Sequence, residues 1–156
     1  MRTLIVAMAL VLGLSAHAAA QQEGRPPMVA KATAVLFVQE IEKSLPFFEA
    51  AGFKRTVEVP HEDKIGFVIL QSNAAEVMLQ SFASATADVT TLDPKEIKAS
   101  RTYLFVEVDD LATIERALKP YNVVIPRRTT DYGATETGYR EPGGHVVTFA
   151  QFAKKD

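Results

Sequence analysis

Short runs rich in Val, Ile, Leu and Phe recur along the chain after residue 31, which is typical of β-strands. Residues 33–38 (TAVLFV) form the first such run. Three more strands are predicted at residues 54–59, 65–71 and 76–82, with polar turns between them. The pattern therefore predicts one strand, a helical segment and three further strands.

The helical segment is expected over residues 41–51, with Gly52 as its C-terminal cap. Pro46 is unfavourable inside it, because proline lacks an N–H and disfavours helical geometry at the residue before it. We therefore expect the regular helix to begin near Ser44, a good N-cap residue. The apolar stripe of this helix comprises Ile41, Leu45, Phe48 and Ala51.

The same pattern occurs a second time at a constant offset of 70 residues. Residues 35–41 (VLFVQEI) align with 105–111 (FVEVDDL), and residues 76–82 (EVMLQSF) align with 146–152 (VVTFAQF). Both ends of the repeat keep the same spacing, so each half of the chain reads β-α-β-β-β.

The second half is expected to contain a helix over residues 111–119, capped by Asp109 or Asp110. Its remaining strands are predicted near residues 123–128, 136–140 and 145–152. The connector between the halves, residues 83–101, contains the sequence Asp93-Pro-Lys-Glu96. An N-cap followed by Pro at N1 and Glu at N3 predicts a short helix there.

The N-terminus has the composition of a secretory signal peptide: Arg2 precedes an apolar run at residues 4–14, and alanines lie at 16 and 18–20. Cleavage after Ala20 is expected. Residues 21–31 are interpreted as a flexible leader, and the product is expected to be secreted or periplasmic, without membrane association.

Charge and cysteine content exclude several classes of function. The chain of 156 residues carries 17 Lys+Arg against 19 Asp+Glu, a formal net charge of -2, which gives no basis for binding nucleic acid. It contains no cysteine, which excludes disulfides, thiol nucleophiles and thiolate metal sites.

The tandem repeat resembles the vicinal-oxygen-chelate superfamily of glyoxalases, extradiol dioxygenases and bleomycin-resistance proteins. Residues 38–44 (VQEIEKS) and 47–53 (FFEAAGF) resemble its first strand and helix, and residues 108–111 (VDDL) resemble its second helix start. Residues 131–133 (DYG) and 140–146 (REPGGHV) resemble its late hairpin.

The resemblance implies an α+β fold in which two tandem βαβββ modules form a curved mixed sheet around a cleft, with helices on the outer face. The domain is expected over residues 32–153, with modules at 32–82 and 102–152. Because many relatives build their clefts from two chains, the resemblance also implies a homodimer.

Strand alternation separates two faces of the expected sheet. The apolar face, predicted to be the core beneath the helices, comprises Ala34, Leu36, Val38, Val77, Leu79, Leu104, Val106, Val108, Val147 and Phe149. The opposite face is mixed and is expected to line a partly solvated cleft; it comprises Thr33, Val35, Phe37, Glu76, Met78, Gln80, Tyr103, Phe105, Glu107, Val146, Thr148 and Ala150.

In metal-dependent members of this superfamily, His, Gln or Glu side chains on the first and last strands of each module hold the ion. The resemblance places those positions at Thr33, Met78, Tyr103 and Thr148. None of these residues is a strong ligand for a divalent first-row metal. We therefore expect no tightly bound catalytic metal and no cofactor.

The two histidines after the predicted cleavage site, His61 and His145, are each expected to serve in turns.

The main hypothesis is a metal-free protein that binds a small, partly apolar organic molecule between its modules, without necessarily catalysing a reaction. The predicted ligand-binding residues are Thr33, Phe37, Met78, Gln80, Tyr103, Phe105, Glu107 and Thr148.

Two alternatives remain open at this point. One is an enzyme of the glyoxalase or dioxygenase type that uses a rearranged metal site with Glu76, Glu107 and His145. The other is an interaction protein whose cleft is filled by its own side chains.

Overall fold

The computed structural model describes residues 29–153, so the predicted signal peptide and most of the predicted leader lie outside the described residues. Residues 29–33 form no helix or strand. The first module consists of β1 (Ala34–Val38), α1 (Ile41–Ala50), β2 (Lys54–His61), β3 (Lys64–Ser72) and β4 (Ala75–Ser81). Two connector helices follow, α2 (Phe82–Asp88) and α3 (Pro94–Ala99). The second module consists of β5 (Tyr103–Glu107), α4 (Leu111–Ala117), β6 (Asn122–Thr129), β7 (Ala134–Arg140) and β8 (Val146–Phe152).

The two β-α-β-β-β modules predicted from the sequence are present, and the fold is α+β. Each module forms its own four-stranded mixed sheet: sheet 1 has the order β1-β4-β3-β2, and sheet 2 has the order β5-β8-β7-β6. In both sheets the first strand pairs in parallel with the last, and the other pairs are antiparallel.

The two parallel pairs share one register. Val35 lies opposite Met78, and Phe105 lies opposite Thr148, so that each partner is 43 residues further along the chain. Adding 70 to each residue number of the first pair gives the second pair. The repeat seen in the sequence is therefore also a repeat of strand pairing.

Helix α1 begins at Ile41 rather than near Ser44, so the prediction of a late start was wrong. Pro46 lies inside the helix, and Ser44 is buried without a hydrogen-bond partner for its hydroxyl. Proline removes only one backbone donor. Burial of the apolar residues around it outweighs that loss. The helix ends as predicted: Gly52, with φ of 91°, donates its N–H to Glu49, and Phe53 donates to Phe48.

Both modules contribute to one hydrophobic core beneath their helices. The predicted core strands are confirmed, since Leu36, Leu79 and Phe149 are fully buried in this cluster. Phe47 of α1 joins the modules: its ring centroid lies 5.0 Å from that of Tyr121 and 6.3 Å from that of Phe149, both in the second module. The helix-facing sides of the two sheets are therefore held together by aromatic packing.

The connector is more structured than the sequence pattern predicted. Helix α3 is capped by Asp93 as expected, its carboxylate accepting the N–H of Lys95 at 2.8 Å. Helix α2 was not predicted, and Phe82, assigned to a strand, is its first residue. The sequence feature that could have predicted this helix is Ser81, whose hydroxyl caps it by accepting the N–H of Ser84. Within residues 29–153, no helix is long and apolar enough to cross a membrane.

Candidate functional site: the open faces of the two sheets

Each sheet has a second face, here called its open face, that points away from the shared core. On sheet 1 the open face carries Phe37 and Met78, which are half-buried. Thr33, just before β1, donates its hydroxyl to Glu76 Oε1 at 2.9 Å, and Gln71 donates to Glu76 Oε2 at 2.6 Å. The structure thus places the Thr33 hydroxyl in a polar network with Glu76.

The connector covers part of the open face of sheet 1. Gln80, opposite Phe37 on that face, donates its amide to Asp88 Oδ2 of α2 at 2.7 Å. Ala85 and Ile97, one on each connector helix, are buried outside the main core cluster. Gln80, predicted to bind a ligand, is therefore engaged by the chain itself.

The open face of sheet 2 is more accessible. Tyr103 is 77% exposed, Phe105 is 49% exposed, and Glu107 follows them on the same face of β5. Glu107 forms no hydrogen bond or ion pair with any residue in the described part of the chain. Two aromatic rings and a free carboxylate therefore lie together on one strand.

The middle of this face is less solvated than the sequence pattern indicated. Val146, Thr148 and Ala150 of β8 were expected to line a partly solvated cleft, but all three are buried. The cause is the position of β8, which has β5 on one side and β7 on the other. Neighbouring side chains cover its short residues.

A polar network that sequence reasoning missed lies on this same face. Glu136 of β7 is opposite Ala150 and is only 2% exposed. Its Oε1 accepts hydrogen bonds from Arg128 Nε at 2.7 Å, and its Oε2 accepts one from the Tyr132 hydroxyl at 2.6 Å. The three residues lie within nine positions, across the β6–β7 turn. Arg128 and Glu136 lie directly opposite each other in the hairpin, so their side chains are on the same face.

The network shifts the pKa values of its members. The hydrogen bond from Tyr132 and the charge of Arg128 hold the pKa of Glu136 below its ordinary value of 4.5, although burial acts in the opposite direction. The same hydrogen bond raises the pKa of Tyr132 above 10.0. Glu136 is therefore ionised at neutral pH, and Tyr132 keeps its proton.

His145 has the turn role that was predicted. It is fully buried, Thr102 donates its N–H to His145 Nδ1 at 3.0 Å, and His145 Nε2 lies 2.9 Å from the carbonyl oxygen of Phe37. Because Nδ1 accepts, the proton lies on Nε2, which donates to Phe37. Both ring nitrogens are therefore occupied by structural hydrogen bonds.

His61 lies at the β2–β3 hairpin beside a groove of about 700 Å³. This groove runs between the hairpin tip and the connector helices. Its lining residues are Gln39, His61, Glu62, Phe82, Ala83, Thr86, Pro94 and Lys98. None of the predicted ligand-binding residues is among them.

The residues at the metal-ligand positions of this fold type do not fit a metal ion. Thr33 lies just before β1, Met78 lies on sheet 1, and Tyr103 and Thr148 lie on sheet 2. Hydroxyls and a thioether are poor ligands for divalent first-row metals. Within residues 29–153, no three His, Asp or Glu side chains are grouped to hold a metal.

Comparison with known proteins identifies the fold. Residues 30–149 match the family model of the Glyoxalase/Bleomycin resistance protein/Dioxygenase superfamily. No curated protein sequence matches the chain.

Three solved structures illustrate the similarity. Lactoylglutathione lyase from Agrobacterium tumefaciens has a TM-score of 0.61 at 15% identity, covering 81% of this chain and 96% of its own. TioX from Micromonospora sp. ML1 has a TM-score of 0.61 at 15% identity, covering 80% and 100%. A bleomycin-binding protein in complex with bleomycin has a TM-score of 0.56 at 20% identity, also covering 80% and 100%. At these identities the likeness establishes the fold alone.

Proposed function

The chain belongs to the glyoxalase, bleomycin-resistance and dioxygenase superfamily, and from this premise we propose that it binds a small, partly apolar organic molecule without a metal ion. One observation carries the proposal: the metal-ligand positions hold Thr33, Met78, Tyr103 and Thr148. These residues favour apolar contact and neutral hydrogen bonds over metal binding. The bleomycin-binding protein of the same fold supports a ligand of this general kind.

Binding is proposed on the open faces, and chiefly on that of sheet 2. Tyr103 and Phe105 supply exposed aromatic surface there, and Glu107 supplies a carboxylate that no other described side chain engages. On sheet 1, Phe37 and Met78 remain proposed contact residues. The side-chain amide of Gln80 already donates a hydrogen bond to Asp88 of the connector.

We further propose that the cleft is completed by a second copy of the chain. Exposed apolar side chains occur on the edge strand of sheet 1, where Val57 and Val59 of β2 are open to solvent. A homodimer would cover this surface.

Export to the periplasm or the exterior is likewise a proposal, which rests on the composition of residues 1–20.

A thermal-shift screen of the chain after Ala20 tests the function. The panel contains divalent metals, thiol adducts, aromatic diols and glycopeptide antibiotics, and a ligand selective for the native state raises the melting temperature. We expect an organic compound to raise it in the presence of a chelator, and a Phe105→Ala variant to lose that shift. Leu92→Ala, at an exposed apolar residue of the connector, serves as the control. A shift produced only by a metal would contradict the proposal and favour a metalloenzyme.

A further inference from the structure

We propose that the groove between the β2–β3 hairpin and the connector helices is a second binding site. Its ligand is a small zwitterion whose ammonium and carboxylate groups are separated by an apolar segment, as in a short apolar peptide with free termini. This groove, here called the hairpin groove, is lined by none of the open-face residues assigned to the first ligand. Binding there does not depend on the proposed function.

The hairpin groove lies where four segments of the chain meet. Gln39 follows β1, His61 and Glu62 lie at the tip of the β2–β3 hairpin, and the remaining wall comes from α2 and α3. The volume of the groove is about 700 Å³. Small-molecule sites typically measure about 300–1,000 Å³. The groove is therefore large enough for a molecule of the size of a tripeptide.

The wall formed by the connector helices is largely apolar. Phe82 and Ala83 are the first residues of α2, and Pro94 is the first residue of α3. Thr86 also lines the groove, but its hydroxyl already donates to the carbonyl oxygen of Phe82 at 2.7 Å. This wall therefore favours contact with the apolar segment of a ligand.

Two opposite charges line the groove without pairing with each other. Lys98 lies on α3, and Glu62 lies at the hairpin tip. Neither side chain forms an ion pair or a hydrogen bond with any residue between 29 and 153. Opposite charges that border one groove without neutralising each other are complementary to a ligand that carries both charges at separate positions.

The backbone conformation of Glu62 supports a role in binding. Its φ is 55°, a left-handed conformation that is strained for most residues other than glycine, asparagine and aspartate. The next hairpin of the same module, between β3 and β4, has Asn73 in this region, with φ of 50°. Asparagine would therefore serve the fold better at position 62 as well. A strained, unpaired carboxylate at the edge of a groove indicates a function other than stability.

Gly66 brings the hairpin tip towards the groove. A Cβ atom on Gly66 would overlap with Cβ of His61, so glycine permits the close approach of these two residues. The approach accompanies a register shift between Val59 and Pro60. His61 is thereby held beside Glu62, and its imidazole, which has no hydrogen-bond partner in the described part of the chain, supplies a further polar contact.

The test uses the tripeptide Ala-Leu-Ala and forms of it that lack one charge or both. The free peptide, its N-acetyl form, its C-terminal amide and the doubly blocked form are titrated into the chain after Ala20, and binding is followed by backbone amide NMR shifts. We expect shifts at residues 61–66 and 82–98. Each block should weaken binding about two- to fivefold, the usual size of the effect for a solvent-exposed charge pair.

A non-peptide zwitterion, 6-aminohexanoate, distinguishes the two sources of this chemistry. If it binds as tightly as the free tripeptide, the site recognises the separated charges alone. If only the tripeptide binds, the ligand is a peptide.

Protein variants assign each ligand charge to its partner. Lys98→Met should weaken binding of the free peptide about two- to fivefold and leave the amide form unaffected, because that form has no carboxylate. Glu62→Gln should weaken the free peptide to a similar extent and leave the acetylated form unaffected. Lys95→Met on α3 and Asp63→Asn in the same turn are the matched controls, because neither residue lines the groove, and both should leave the affinities unchanged.

Glu62→Asn separates binding from stability. It should weaken binding of the free peptide as Glu62→Gln does, but it should raise the melting temperature, because asparagine tolerates the left-handed conformation. A lower melting temperature would assign Glu62 to the fold and would overturn the proposal.

Equal affinity for the free and the doubly blocked peptide would also overturn the proposal, as would unchanged affinity in Lys98→Met and Glu62→Gln, or the absence of binding by any zwitterion. None of these results bears on the open faces, which the thermal-shift screen tests separately.

Discussion

His145 Nε2 donates a hydrogen bond to the carbonyl oxygen of Phe37 at 2.9 Å, across 108 residues of sequence. The same ring accepts the N–H of Thr102, and the backbone N–H of His145 donates to Glu141 Oε1 at 3.0 Å. A single buried imidazole therefore connects the first strand of one module to the last hairpin of the other.

Replacing His145 with Ala is expected to lower the free energy of unfolding by about 2–4 kcal/mol, because it leaves buried polar groups unpaired and opens a cavity. Urea denaturation measures this change. His61→Ala is the control and should change the free energy by less than about 0.5 kcal/mol, since His61 forms no side-chain hydrogen bond within the described chain. Equal stability of His145→Ala and the wild type would show that the imidazole does not join the modules.

Loss of an aromatic ring is expected to lower the stability of the protein by different amounts on the two faces of the sheets. Phe47 is fully buried against rings of both modules, so Phe47→Ala is expected to cost about 3–5 kcal/mol. Phe105 is half exposed on an open face, so Phe105→Ala should cost far less. Thermal unfolding of the two variants checks the difference, and similar losses would mean that the faces are wrongly assigned.

Acid should destabilise the fold partly through Glu136. Its pKa is lowered in the folded state, and the largest cause is the hydrogen bond from Tyr132. At acidic pH the unfolded chain therefore binds a proton more readily than the folded chain does. Its stabilising contribution is thus complete above the ordinary value of 4.5 and is lost as the pH falls through the folded-state value. Glu136→Gln should reduce the loss of stability between about pH 5 and pH 3.

The measurement is urea denaturation across that pH window. Tyr132→Phe should reduce the acid sensitivity in part, since Arg128 remains, and Tyr103→Phe should leave it unchanged. An undiminished acid response in Glu136→Gln would contradict the account.

Gly138 is required by the close approach of β6. A Cβ atom at this position would lie 2.8 Å from Ile125 Cβ, so Gly138→Ala is expected to destabilise the protein by about 1–3 kcal/mol. The added Cβ would also lie 2.8 Å from Ile125 Cδ1 and 2.9 Å from Ile125 Cγ1, so Ile125→Ala in the same chain, which removes these two atoms and keeps Cβ, should recover part of the loss. A double-mutant cycle by denaturant unfolding measures the coupling, and strictly additive effects would refute the contact.

Much of the fold follows from local sequence. The strand alternation that buries Leu36 and Leu79 is set by a few neighbouring residues, and so is the Asp93 cap of α3. The second module has the same strand register as the first, at an offset of 70 residues. Helix α2 was missed because the signal of its cap, Ser81, lay within a run assigned to a strand.

The site was less predictable, because its geometry depends on contacts between side chains on different elements. Sequence alternation correctly placed Tyr103 and Phe105 on the face opposite the core, but it gave no sign that Gln80 would be bound by Asp88. Glu136 was missed because strand alternation does not show which side chains pair across a hairpin; the structure places it directly opposite Arg128 and four residues after Tyr132.

Metal analysis tests the central claim most directly. The chain after Ala20, purified without chelator, is analysed for divalent metals by mass spectrometry. The account predicts substoichiometric zinc, nickel, iron and manganese, with no change on replacing Glu76 and Glu107 by Gln. A stoichiometric metal that is lost in those variants would contradict it.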